Sequence, residues 1–178
     1  MKIANYIQSL LCILLAVSLS ACQENTVDSS SRSSLSSDSA VNCRTIEHEQ
    51  GETEICGQPQ KIAVLGPFIL EPLLALGVQP IAFADQTQER QGDYDRPSEQ
   101  IPYLGEYITN PLTNVGLAYQ PSIETLVRVK PDLILGASFN NADQYETLSA
   151  IAPTVLLDWD DTETNIRAIA QAVGQQPA

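Results

Sequence analysis

The sequence predicts an α/β fold built on a parallel sheet, with a β-hairpin in front of it. Three observations predict it. From Lys61 onward, short runs rich in Val, Ile and Leu alternate with stretches of helical period, so the hydrophobic spacing switches repeatedly between strand and helix. Glycine and proline fall at the switches, at Gly66-Pro67, Gly77, Pro131 and Gly174, where an element must stop. The chain has 178 residues, enough for one domain with a sizeable core, and no internal repeat longer than the βα unit is visible.

In chain order, Lys2 gives a minimal positive start, Leu10 to Leu19 is an apolar run, and no further charge appears until Glu24. Residues 1–21 therefore read as an export segment. A membrane-spanning helix competes with this reading, but spanning takes about 20 mostly apolar residues, and Asn5, Gln8 and Ser9 interrupt the stretch. Leu19-Ser20-Ala21-Cys22 resembles the lipobox of bacterial lipoproteins, whose cysteine is lipidated and becomes the new N-terminus. That resemblance implies an acylated Cys22 and a protein outside the cytoplasm, tethered to a membrane. Two or more acyl chains, at about 0.8 kcal/mol per buried methylene, anchor stably where one does not. Residues 22–40 hold eight serines and no periodicity, so they form a disordered tether spanning about 20 to 25 Å root-mean-square.

With Cys22 assigned to lipid by that resemblance and Cys12 lost with the export segment, Cys43 and Cys56 remain, and they are expected to pair where disulfides persist. Gly51 lies near the midpoint between them, as a hairpin turn requires. Closing a loop of this size contributes about 3 kcal/mol in the chain-entropy argument. Glu47, Glu49, Glu52 and Glu54 with His48 could be read as a cation site; a solvated hairpin face is the preferred reading, since exposed strand edges commonly carry charge.

In the body, Ile62 to Leu65 is a buried strand, Ile69 to Leu76 a helix with Pro72 in its first turn and Gly77 as its C-cap, and Val78 to Ala84 a second strand. Gln86 to Gln100 reads as a polar surface loop with at most a short helix, and Ile101 to Gly105 as a short strand. Pro121 opens a helix through Lys130, with Glu124 in its first turn complementing the positive helix end. Asp132 to Leu135 is a strand, Asn141 to Ile151 a helix, Thr154 to Leu157 a strand and Asp161 to Val173 a helix.

Several chemistries are excluded or disfavoured. With 22 acidic and 9 basic residues the formal net charge is −13, and a nucleic-acid backbone would be repelled. A single histidine and no Cys-x-x-Cys pair disfavour zinc, and no metal site or cofactor is expected. Neither G-x-G-x-x-G nor G-x-x-x-x-G-K-[ST] occurs, and there is no G-x-S-x-G elbow, so no enzyme is expected.

Three stretches together resemble the N-terminal lobe of periplasmic binding proteins for ferric siderophores and vitamin B12, the substrate receptors of ABC importers. They are the acidic hairpin leading into Pro59 to Val78, the segment Val115-Gly-Leu-Ala-Tyr-Gln-Pro-Ser-Ile-Glu-Thr-Leu-Val-Arg-Val-Lys-Pro-Asp-Leu-Ile-Leu-Gly136, and Leu148 to Asp158 with Asn165 to Gly174. The resemblance covers residues 41–174. It implies a Rossmann-like parallel sheet with helices on both faces, a single lobe of a two-lobe class III binding protein. Ligand loops would sit at the carboxyl ends of the strands, where open α/β sheets bind ligands. The matching positions imply Phe68, Tyr107, Tyr119, Ser138, Phe139, Asn140 and Trp159 as ligand-binding residues for a ferric siderophore, and Glu124 as the contact with an arginine pocket on the permease. A core aromatic is the competing reading for each of Phe68, Tyr119, Phe139 and Trp159, preferred for Phe68 and not for Tyr119, and a plain helix-dipole residue is the competing reading for Glu124. Ala118 stands where several siderophore-binding members carry an arginine.

Residues 175–178 fall about where the helix linking two lobes would begin, so the expectation is a truncated receptor, weak or inactive alone. The alternatives are a single-lobe envelope lipoprotein that holds a protein partner and a cobalamin- or haem-binding relative.

Overall fold

The computed structural model describes residues 42–87, 90–158 and 160–175. The export segment, Cys22, the serine-rich tether, Trp159 and residues 176–178 lie outside them. Two strands open the described chain, β1 (Cys43–His48) and β2 (Gly51–Cys56), paired antiparallel with Cys43 opposite Cys56 and disulfide-bonded to it. The sheet that follows contains β3 (Ile62–Leu65), β4 (Ala82–Asp85), β5 (Thr113–Leu117), β6 (Gln120–Pro121), β7 (Leu133–Ala137) and β8 (Thr154–Leu157). Its order is β6-β5-β4-β3-β7-β8, parallel throughout except for the two-residue β6 at the edge.

The helices are α1 (Pro67–Ala75), α2 (Pro97–Gln100), α3 (Ile123–Val129), α4 (Ser138–Asn141), α5 (Tyr145–Ser149) and α6 (Thr162–Ala172). Every residue of β3, β7 and β8 is buried, because helices cover both faces of the sheet. The alternation along each strand sorts the core in two. Ile62 and Val64 of β3, Leu133 and Leu135 of β7 and Phe83 of β4 pack with Ile69, Leu70 and Leu73 of α1 and Ile169 of α6. Ala63 and Leu65 of β3, Ile134 of β7 and the alanines 82 and 84 of β4 pack with Leu126 of α3 and Leu148 of α5. Each fully buried Leu or Ile contributes about 1.5 to 3 kcal/mol relative to exposure.

Differences from the sequence reading cluster at prolines and glycines. The helix read as Ile69 to Leu76 begins at Pro67, so Pro72 sits in its interior, where the lost amide bond is offset by burial of Ile69, Leu70 and Leu73. It ends in a Schellman motif, with Gly77 N–H donating to Leu74 O at 2.9 Å and Val78 N–H to Leu73 O at 3.2 Å; Gly77 has φ 73°. Pro121 lies in β6, and the cap of α3 is Ser122, whose hydroxyl accepts from Thr125 N–H. Ile101 to Gly105 is not a strand. Leu104 N–H and Gly105 N–H donate back to Pro102 O and Ile101 O, and a Cβ at Gly105 would lie 2.0 Å from Pro97 O, so the chain turns tightly there. The helix read as Asn141 to Ile151 is broken into α4, a 3-10 turn over Ala142–Gln144, and α5.

The hairpin is clamped to the lobe at two places. Arg44 Nε and Nη2 donate to the carbonyls of Gln171 (2.5 Å) and Ala172 (2.6 Å), placing a cation on the negative end of α6. Thr53 Oγ1 donates to Thr154 O at 2.7 Å and lies 2.8 Å from His48 Nε2, while the His48 and Tyr145 rings meet edge-on at 5.3 Å. His48 is thus engaged with Thr53 and Tyr145, and the glutamates of the hairpin are exposed.

Candidate functional site

Because β3, β4, β5, β7 and β8 are parallel, the segments leaving their carboxyl ends share one rim of the sheet. The strand order reverses between β3 and β7: the chain steps outward through β4 and β5 and then returns to the other side of β3. Open α/β sheets form their ligand crevice at such a switch point. The residues leaving the two flanking strands are Gly66-Pro67-Phe68 and Ser138-Phe139-Asn140, and the Phe68 and Phe139 rings stand 5.5 Å apart at 34°. Gly66 has φ 128°, and a Cβ there would come within 3.2 Å of the Phe68 ring and 3.7 Å of Ala118 Cβ. Glycine lets the chain leave β3 at that angle while the ring stays over the crevice.

Tyr119 comes to the same rim by a different device. Leu117 pairs with Gln120, so Ala118 and Tyr119 form a two-residue turn between β5 and β6. The turn is pinned by Ala118 N–H donating to Asp85 O at 2.8 Å, and by Asn141 and Gln144, whose side-chain amides donate to Ala118 O (2.8 Å) and Tyr119 O (2.9 Å). Asn141 is fully buried and its Oδ1 also accepts from Ala137 N–H at 3.1 Å, joining the exit of β7 to the Tyr119 turn. The Tyr119 and Phe139 side chains are about half exposed, at 49% and 53%. Phe68 is half-buried and packs against the core, so it serves both as core and as rim.

Asn140 Nδ2 donates to Gln86 Oε1 at 3.2 Å, tying the exit of β7 to that of β4. Ser138 is buried and its hydroxyl donates to Leu156 O at 3.4 Å, so it braces the rim from below. Tyr107 is not brought to this rim. Its carbonyl accepts from Gln79 Nε2 at 3.1 Å in the turn before β4, at the strand-start end of the sheet. Glu124 is exposed in the first turn of α3, at the rim end of the helix that covers the opposite face from α1.

Sequence reasoning missed Gln86, Asn141 and Gln144. The available signal was local: Asp85-Gln86 follows an apolar strand directly, and Asn141 and Gln144 follow the exit of β7. Deeper beside the rim, Tyr94 is buried against Phe83 with the Arg90 guanidinium 5.6 Å over its ring. Burial first, and then the Asp85 carboxylate, push its phenol up to about 12, so it remains a neutral hydroxyl at physiological pH. The rim thus offers flat apolar faces, amide groups and carboxylates. That set suits binding an organic molecule by contact, and no nucleophile is paired with a base there among the described residues.

A family model described as periplasmic binding protein matches residues 62–178. The chain is 36% identical to the probable siderophore-binding lipoprotein YfiY of Bacillus subtilis over 96% of its own length and 49% of that protein's. It is 28% identical to the Fe(3+)-citrate-binding protein YfmC of the same organism, over 92% of this chain and 49% of the relative. Among solved structures, the periplasmic catecholate-siderophore binding protein VctP of Vibrio cholerae superposes with a TM-score of 0.59 at 27% identity, covering 74% of this chain and 45% of that one. Staphylococcus aureus SirA complexed with staphyloferrin B gives 0.58 at 27% identity, covering 75% and 43%. The chain spans about half the length of the curated relatives it matches. Among the described residues, no helix is long and apolar enough to cross a membrane.

Proposed function

The chain belongs to the periplasmic binding protein family, and on that premise we propose that it is the substrate-binding component of an iron(III)-siderophore ABC import system, held outside the cytoplasm by lipid on Cys22. The observation that carries the reading is the Phe68–Phe139 pair at the switch point of the sheet, with Tyr119 beside it on a braced turn. A ferric siderophore wraps its metal in an organic shell, and two aromatic faces with a phenol alongside match such a shell by area and by one directional donor. Trp159, which follows β8, joins this set in the proposal, as does Asn140.

The test is titration of the chain with ferric siderophores and with cobalamin, read by fluorescence of its one tryptophan. Saturable quenching by a ferric chelate supports the reading. Phe139→Ala should lower that affinity about 5- to 20-fold at a stability cost of no more than about 1.5 kcal/mol, the worth of its pairing with Phe68, because the ring is half exposed. No response to any chelate, with stable capture of a protein other than a permease, would favour the interaction-module alternative.

Glu124 is proposed to dock a cationic pocket of the permease, since an exposed first-turn carboxylate is free to make charge-assisted hydrogen bonds. Glu124→Lys should leave chelate binding intact and abolish complex formation with the permease in a membrane pull-down. Equal loss of both would place Glu124 in the ligand site instead.

A further inference from the structure

Ferric chelates of similar size differ in charge. Catecholate and carboxylate ligands bring more negative charge than iron(III) cancels, so their complexes are anions, whereas a full set of hydroxamates neutralises the ion. The charges around the rim therefore bear on which chelates it accepts, an inference that rests on the chelate reading above.

The basic residues of the described chain stand away from the rim or are engaged. Arg44 caps the far end of α6, and Lys61 and Lys130 lie at the strand-start end of the sheet, before β3 and after α3. Arg96 pairs with Glu99 at 2.5 Å, and Arg167 with Glu163 at 2.7 Å. Arg128 donates to Thr125 Oγ1 along α3. Arg90 alone follows a rim strand closely, and its guanidinium is stacked over the buried Tyr94.

Carboxylates sit where the strands end, and they too are engaged locally, Asp85 Oδ1 accepting from Thr87 N–H at 3.0 Å. Asp85 closes β4, and Asp158 and Asp160 lie between β8 and α6, whose first turn is capped by Asp161 accepting from Thr164 N–H at 2.9 Å. The side chains linking the exits of β7 and β4, Asn140 and Gln86, are neutral amides. These carboxylates leave the sheet at the same rim as Phe68 and Phe139, so an anionic complex resting on that pair is repelled by them, and each like charge close to it costs about tenfold in affinity at a partly desolvated surface. The protein's net charge of −13 adds a long-range barrier of the same sign.

We propose that this rim selects iron(III) chelates without net negative charge, the hydroxamate class, over anionic catecholate and citrate complexes. The aromatic pair supplies contact that is indifferent to charge, and the flanking carboxylates supply the discrimination.

The experiment is calorimetric titration of the chain with ferrioxamine B, ferrichrome, a ferric tricatecholate and ferric citrate at matched ionic strength. The expected result is that both hydroxamate complexes bind at least about tenfold more tightly than either anion, with the gap narrowing as salt rises. Asp160→Lys, at an exposed position, should close the gap by about tenfold and leave the unfolding midpoint unchanged. An anionic complex that binds as tightly as the hydroxamates, or a preference unmoved by Asp160→Lys, overturns the inference while the chelate reading stands. If none of the complexes binds, the chelate reading fails and this inference with it.

Discussion

Asn141 shows what a single polar residue can determine in this molecule. It is fully buried, its Oδ1 accepts from Ala137 N–H and its Nδ2 donates to Ala118 O. A Cβ at Gly136 would lie 2.8 Å from its Oδ1, so the glycine leaves room for the amide to stand against the strand. Replacing it by Leu removes both bonds and strands two buried backbone groups, a cost of about 2 to 5 kcal/mol. Asn141→Leu should therefore lower the midpoint of guanidinium unfolding at unchanged slope. It should also weaken chelate binding, because the turn carrying Tyr119 loses its brace; an unshifted midpoint would show that water replaces both bonds. The sequence places Asn141 at the start of a helix, as an ordinary polar residue. Helical period reports where apolar residues point, and it carries no information about a carbonyl 23 residues away in the turn between β5 and β6. The same blindness hid Gln144. Phe139 and Tyr119 entered the candidate set through the family resemblance, which needs no knowledge of their partners, and both come to the loops that leave β7 and β5.

At the scale of elements, the strands buried on both faces read well from sequence, whereas Ile101 to Gly105 is not a strand, the strand read as Val78 to Ala84 begins only at Ala82, and the helix starts at Pro67 and Ser122 were misplaced. Ile62 to Leu65 and Thr154 to Leu157 match the observed strands residue for residue, since a short apolar run buried on both faces leaves no other choice. Pro72 and Pro121 were both placed in first turns by their intrinsic preference; packing carries the former into a helix interior, and the β5–β6 turn draws the latter into a strand. The hairpin was legible as a hairpin, but its attachment was not, because the His48, Thr53, Tyr145 and Thr154 contact joins four segments. That attachment has a pH dependence. Burial lowers the His48 imidazole below its ordinary value of about 6.5, so the folded protein prefers the neutral ring. Below about pH 6.5 the unfolded chain binds a proton that the folded chain does not, and stability falls with pH from that point until the folded group also titrates. Thermal unfolding between pH 7.5 and 5 should show this loss, and His48→Gln should flatten it. A slope that survives the substitution would show that His48 is not its source.

The whole lobe presents its rim as one wall. On the proposed reading Phe68, Tyr119 and Phe139 touch a chelate from one side, and a second wall closing over it would add contacts from the other. Affinity then divides in free energy, not in dissociation constant. A nanomolar site has about −12 kcal/mol to distribute, and half of it, about −6, corresponds to some tens of micromolar before the ordering of the ligand is charged against it. Stiff aromatic side chains and a braced turn keep that ordering cost low on the protein side, because Tyr119 and Phe139 have few rotamers to lose and the backbone at Ala118, Tyr119 and Ala137 is held by Asn141 and Gln144. The chain by itself should therefore bind its chelate with a dissociation constant in the micromolar range, fast exchange and a modest heat. Calorimetry at protein concentrations near 50 µM, with stopped-flow fluorescence for the off-rate, reads all three. A nanomolar constant measured on this chain alone would overturn the division of the binding free energy between two walls.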